Sequence, residues 1–333
     1  MYMSESEQIK QDIDRICQKF HYDSQLTTFL HTSIPSLIAY YGIENKERII
    51  ETFENCEIHI QKENEDPSIF IGEYFDETIE EDLKEHMNGF FVRAFHLDGP
   101  KYVNGNVTLQ QIIYIKKDRN NKFDWSDEQS QSNIVHEMCH AIKTNGHVKV
   151  EGDNIITYSG LIKSIYRYNP ETGKIDFVSG YSSDLEEALN TLDELAVMSI
   201  MKNRVFTTEN GYEAMLQMAR RMMSFDDIAR VVRKSQLSGS DEWIDYLGQE
   251  NCALIIENFS LLGVRVGRKN GKTMRQQIRE GLVAREILNE FFDNYKPKEI
   301  DFTDWSLEDI ERYRQTGELP ENQNLEEEHS RSL

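Results

Sequence analysis

Apolar residues recur with helical spacing through residues 5–55: Ile9, Ile13, Ile16 and Phe20 form one stripe, and Leu26, Phe29 and Leu30 form a second. The Ser33–Pro35 segment predicts a break after them, since proline cannot donate to the helical ladder. From Cys56 to Ile60 the period falls to two, as in a strand. The Gly- and Asn-containing segment GPKYVNGNVT, residues 99–108, leads into QQIIYIKK, and the pattern predicts a buried strand over 109–117. SDEQSQSNIVHEMCHAIKTNGH then opens with Asp and Ser residues suited to capping and closes at Asn145-Gly146, so it predicts a helix. Two apolar runs rich in Tyr, Ile and Val flank the turn signal Asn169-Pro170-Glu171-Thr172-Gly173 and predict a hairpin within 154–179. A second long helix follows from about Ser183 to Lys202 and Asn203, with acidic residues in its first turn. Residues 209–300 read as mostly helical, with Met215, Met218, Met222 and Met223 forming an apolar stripe of core character, whereas 316–333 reads as an acidic disordered tail.

Composition narrows the possible partners. The chain has 333 residues, 38% hydrophobic and 29% charged, which suits a globular protein. Its 59 acidic against 37 basic side chains leave a net charge of -22, which repels phosphate backbones and anionic membrane surfaces. No nucleic-acid or membrane partner is expected, and the sequence leaves the oligomeric state open. Arg265, Arg268, Lys269, Lys272, Arg275, Arg279 and Arg285 run against this trend, relieved by Glu280. They read first as a solvated loop and helix face and second as a dock for an acidic partner or for the acidic tail. MYMSESEQIKQDIDRICQKF carries charges throughout and lacks the apolar run of a secretory signal, and no later stretch has the apolar length of a membrane span. A soluble cytoplasmic protein is expected, with secretion by an unconventional route left open. Cys17, Cys56, Cys139 and Cys252 show no CxxC spacing, so a disulfide framework is not expected.

The candidate chemistry lies in HEMCH. Positions i and i+4 of a helix share a face, so His136 and His140 can present two imidazoles to one zinc ion. Glu137, beside that face, is placed to accept a proton from a water activated by the metal. A carboxylate on the following helix can complete the site, and helical geometry alone admits either Glu187 or Glu194, which are seven apart and face the same way. Glu186 is expected to be solvent-exposed, and Asp193 or Glu194 to orient an imidazole. Cys139, between the two histidine directions, reads as a small buried packing residue.

From Gly99 to about Leu247 the order of elements resembles bacterial zincin-like peptidases of the gluzincin kind. The residues that carry the likeness are Gly99 and Tyr102, NIVHEMCHAI, Tyr158-Ser159-Gly160-Leu161 and LEEALNT, the last standing where such families often read LNEGLTE. The resemblance implies Zn2+ as cofactor, His136, His140 and Glu187 as ligands, and Glu137 as general base. The chain departs from the family at Asn190 and Thr191, where Thr and Glu are usual.

The expectation is therefore an α+β protein with a zincin-like core, a small mixed sheet over the HExxH helix and then a mostly helical C-terminal lobe. Its sections would be a helical N-terminal part (1–60), a catalytic domain (61–260), a helical extension (261–315) and the tail (316–333). The expected function is hydrolysis of peptide bonds in a protein or peptide substrate. Tyr158, Tyr166, Tyr168, Tyr181 and His147 are available to stabilise the developing oxyanion, and Tyr181, just ahead of the glutamate helix, is preferred. The alternative is a catalytically silent zincin fold acting as a sensor or binding module, a reading kept open by the departure at Asn190 and Thr191.

Overall fold

The computed structural model describes residues 4–61, 65, 89–97, 107–116, 123–144, 148–152, 154–169, 171, 174–181, 183–207, 213–262, 272–297 and 306. It begins with three helices, α1 (Glu5–Phe20), α2 (Ser24–Tyr41) and α3 (Lys46–Asn55). Ser4 and Glu7 form a capping box on α1, and Asp23 accepts from the Leu26 amide at 2.8 Å to start α2. The expected break at Ser33–Pro35 does not occur, because α2 continues through Pro35. Proline forfeits one ladder hydrogen bond, but Leu30, Ile34, Leu37 and Ile38 around it are buried. Burying an aliphatic side chain of this size is worth about 1.5–3 kcal/mol, so packing outweighs the lost bond.

Two small sheets follow. The first has the order β1-β3-β2, where β1 is Cys56–Ile60, β2 is Gly89–Leu97 and β3 is Val107–Ile115. β1 runs parallel to β3, with Cys56 opposite Gln111, and β2 runs antiparallel to it, with Phe91 opposite Ile113. The second sheet is an antiparallel meander of β4 (Val148–Glu151), β5 (Asn154–Ser159), β6 (Ile162–Asn169) and β7 (Lys174–Tyr181). The expected hairpin at 169–173 joins β6 to β7, but the apolar run before it is itself folded back at Gly160-Leu161. Gly160 makes that tight turn with φ of +60°, a conformation that needs no Cβ.

Between the sheets in sequence lies α4 (Glu128–Thr144), and after them α5 (Ser183–Lys202). Asp127 caps α4, accepting from the Ser130 amide at 2.9 Å. The helix packs against β2 and β3 on one side and β5 on another. Among the described residues the remaining helices are α6 (Glu213–Met222), α7 (Asp226–Ser238), α8 (Glu242–Leu247), α9 (Gln249–Leu262) and α10 (Met274–Asn294). The molecule is thus α+β, with small sheets and predominant helix.

Among the described residues, most buried apolar side chains fall into two clusters. One joins the first three helices, the first sheet, α4 and the second half of α5, through Leu195, Val197 and Met198. The other joins the first half of α5, through Leu185, Ala188 and Leu189, to α6–α10, and Met215, Met218 and Met222 lie inside it as the stripe predicts. Helix α5 therefore belongs to both. Among the described residues no helix is long and apolar enough to cross a membrane. The acidic tail and Arg265, Arg268 and Lys269 lie outside the described residues, while Arg275, Arg279 and Arg285 are exposed on α10.

Candidate metal centre

Helices α4 and α5 pack antiparallel, a pairing that brings Ser132 to Glu194 and Lys143 to Glu186. The polar side chains of the site stand along this contact. The His136 and His140 rings lie 4.9 Å apart with planes at 74°, as expected of residues one turn apart on a helix face. Glu187 of α5 meets both, with one carboxylate oxygen 3.2 Å from His136 Nε2 and the other 3.4 Å from His140 Nε2. Donor atoms of these three residues all lie within 4.8 Å of one another. Zinc ligands at about 2.0–2.2 Å in a tetrahedral array stand roughly 3.4 Å apart, so donor atoms within 4.8 Å of one another need small side-chain movements to close on one ion.

The other ring nitrogen of His136 is also engaged. Its Nδ1 is 2.9 Å from Glu194 Oε2, and the second oxygen of Glu194 accepts from the Ser132 hydroxyl. Asn190 donates to the His136 carbonyl oxygen at 2.8 Å, tying α5 to α4 at His136 itself. Glu194 is only 4% exposed whereas Glu187 is 44% exposed, so the site opens to solvent on the Glu187 side and is sealed behind Glu194. No family model, curated protein or solved structure matches the chain.

The two glutamates left open by helical spacing thus stand in different places. Glu187 can share an ion with the histidines, and Glu194 holds one imidazole from behind. Burial opposes a charge on His136, but the carboxylates of Glu187 and Glu194 outweigh it and hold the imidazole pKa well above its ordinary value. Burial likewise opposes the charge on Glu187, yet His140 and His136 bring its pKa well below the usual carboxylate range. Glu137 is buried beside the histidines, and desolvation raises its pKa. Cys139 is fully buried, as packing predicts, with its thiol pKa pushed up by desolvation.

Glu186 is not exposed as expected. It is fully buried, with Lys143 Nζ at 2.6 Å, Gln236 Nε2 at 2.9 Å and the Leu161 amide at 2.8 Å. The physical reason is a cation supplied from across the helix pair, which no reading of α5 alone contains. Asp193, the other candidate partner for an imidazole, instead meets Lys143 at 3.1 Å and Arg233 at 2.6 Å. Lys143 carries a signal that points to this role: it is the one lysine or arginine of α4, and it directly follows the apolar Ala141-Ile142 on the helix that bears His136 and His140.

Of the tyrosines, Tyr158 is committed elsewhere, its hydroxyl 3.3 Å from Asp241. Tyr181 closes β7 opposite Lys163, two residues ahead of the first residue of α5. Its side chain, like that of Tyr168, lies outside what is described, as do His147, Gly99 and Tyr102 altogether.

Proposed function

We propose that the chain is a zinc metallopeptidase with a zincin-like core, hydrolysing peptide bonds in a protein or peptide substrate. The observation that carries the reading is the convergence of His136, His140 and Glu187, whose donor atoms lie within 4.8 Å of one another, with Glu137 on the histidine helix. The order of β3, the HEMCH helix and the glutamate helix supports the zincin-like core. His136, His140 and Glu187 would supply three protein ligands, the number found in catalytic rather than structural zinc sites. A zinc ion at this site supplies Lewis acidity and lowers the pKa of water.

The chain's own groups have the following parts. His136 and His140 would hold the metal as neutral imidazoles, with Glu194 at Nδ1 of His136 fixing the tautomer and orientation of that ring. Glu137 takes a proton from water and delivers it to the leaving amide nitrogen; desolvation, which raises its pKa, brings it nearer the working pH of a general base. Tyr181 is our candidate donor to the developing oxyanion. The silent-module reading rested on the departure at Asn190 and Thr191, and the Glu194–His136 contact weighs against it by providing a carboxylate for the ligand histidine one turn further along. The deciding experiment measures zinc content by elemental analysis together with cleavage of a broad peptide library. About one zinc per chain with cleavage abolished in Glu137→Gln supports the peptidase; zinc without cleavage returns the silent module; and absence of zinc removes both.

A further inference from the structure

Four of the five acidic residues of α5 form two pairs with a spacing of seven, Glu186 with Asp193 and Glu187 with Glu194. The second pair faces the imidazoles. The first pair closes around Lys143, whose side chain has no exposure and whose Nζ lies 2.6 Å from Glu186 and 3.1 Å from Asp193. We propose that Lys143, held between Glu186 and Asp193, is a positioning residue that sets the register of α5 on α4 and thereby places Glu187 and Glu194 at the imidazoles. The proposal rests on the metal-centre reading above.

Three observations carry it. Each residue of the locking pair directly precedes a residue of the working pair, so any slide of α5 moves both together. One residue of helix corresponds to about 1.5 Å, far outside the roughly 0.2 Å tolerance of a metal-ligand distance. Second, the carboxylates are tied from several directions. Asp193 also takes Tyr40 at 2.7 Å, Tyr41 at 3.0 Å and Arg233 at 2.6 Å, and Glu186 takes Gln236 and the Leu161 amide. Helix α2, the β5–β6 turn and α7 therefore all converge on α5 where it passes between the two apolar clusters. Third, burying ion pairs is a poor way to gain stability, since apolar residues of like volume often do as well. Geometric specificity accounts for four buried or largely buried charges here better than stability does.

The test compares the parent with Lys143→Met/Glu186→Gln, a substitution that removes one cation and one anion together and leaves the Asp193–Arg233 pair intact. Zinc affinity is measured by chelator competition, and the visible absorption of the cobalt(II) form reports ligand geometry. We expect a folded double variant whose zinc affinity falls by about 10–100-fold and whose cobalt spectrum changes, the size of effect typical for residues that orient ligands. Parent affinity and parent spectrum in the folded double variant would overturn the proposal. If that variant does not fold, Glu186→Gln alone, which keeps side-chain shape and an acceptor for Leu161, is put through the same measurements with the same two outcomes. A parent that binds no zinc overturns the metal-centre reading and this proposal together, whereas a zinc-binding parent with an unaffected variant overturns the lock alone.

Discussion

Glu194 Oε2 stands 2.9 Å from His136 Nδ1, the ring nitrogen that the Glu187 carboxylate does not use. That contact separates two glutamates which helical spacing alone leaves equivalent, and it makes their substitution diagnostic. His136→Ala, His140→Ala and Glu187→Ala each remove a proposed ligand and are expected to lose most bound zinc. Glu194→Ala leaves the ligands in place and is expected to weaken zinc by about 10–100-fold through loss of imidazole orientation. Elemental analysis after dialysis against graded chelator gives the order, and a greater loss in Glu194→Ala than in Glu187→Ala would exchange their roles.

Acid stability provides a second test, centred on Asp193. Burial opposes its charge, but Arg233 and Lys143 outweigh it and bring its pKa to about 2 from an ordinary 3.8. A carboxyl whose pKa is lowered on folding adds stability that is present above its unfolded pKa and is lost as the pH falls through its folded pKa. The contribution is therefore complete above about pH 5 and declines toward pH 2, by on the order of 2 kcal/mol. Urea unfolding of the parent should show this decline, and Asp193→Asn, less stable at neutral pH, should show a shallower one. Parallel curves would mean that Asp193 is not held as an ion.

A third test concerns Gly160. Its φ of +60° disfavours any residue with a Cβ, and a Cβ there would collide with the Glu186 carboxyl group, which Lys143, Gln236 and the Leu161 amide hold in place. The left-handed conformation costs about 1–2 kcal/mol for an L-residue, and displacing a buried carboxylate from its partners adds to it. Gly160→Ala is expected to lower unfolding free energy by at least about 2 kcal/mol, read by urea titration. A loss under about 0.5 kcal/mol would show that Glu186 swings aside freely.

What could be read in advance follows from which forces are local. The HEMCH helix and the glutamate helix are legible because their caps and 3.6-residue pattern lie within contiguous sequence, and that pattern puts His136 and His140 on one helix face and Glu187 with Glu194 on one face of the next. Pro35 misled because the packing that carries α2 past it comes from distant elements. Glu186 misled for the same reason, since its burial depends on Lys143, 43 residues earlier, and on Gln236, 50 residues later. The parallel pairing of β1 with β3 likewise joins segments whose relation no local period records. Helical spacing places Glu187 and Glu194 on one face, but only the partner helix shows that Glu187 meets both imidazoles and Glu194 the far nitrogen of His136.

The final prediction concerns Glu137, where metal binding and turnover should separate. In the proposed mechanism it contacts water rather than the ion, so removing its basicity should stop proton transfer while the three ligands remain. Glu137→Gln preserves shape and hydrogen-bonding capacity and removes a buried carboxylate whose pKa desolvation raises. Loss of that charge relieves a desolvation cost, so the variant should unfold at or slightly above the parent temperature. General-base catalysis contributes about 10²–10⁴-fold, and cleavage of any substrate found for the parent should fall by at least that range, with zinc content unchanged. The fall should be in kcat with little change in KM, since the group acts during proton transfer and not in uniform substrate binding. Zinc lost in proportion to activity would instead make Glu137 a ligand or a support for one, and the assignment of three ligands plus a base would have to be redrawn.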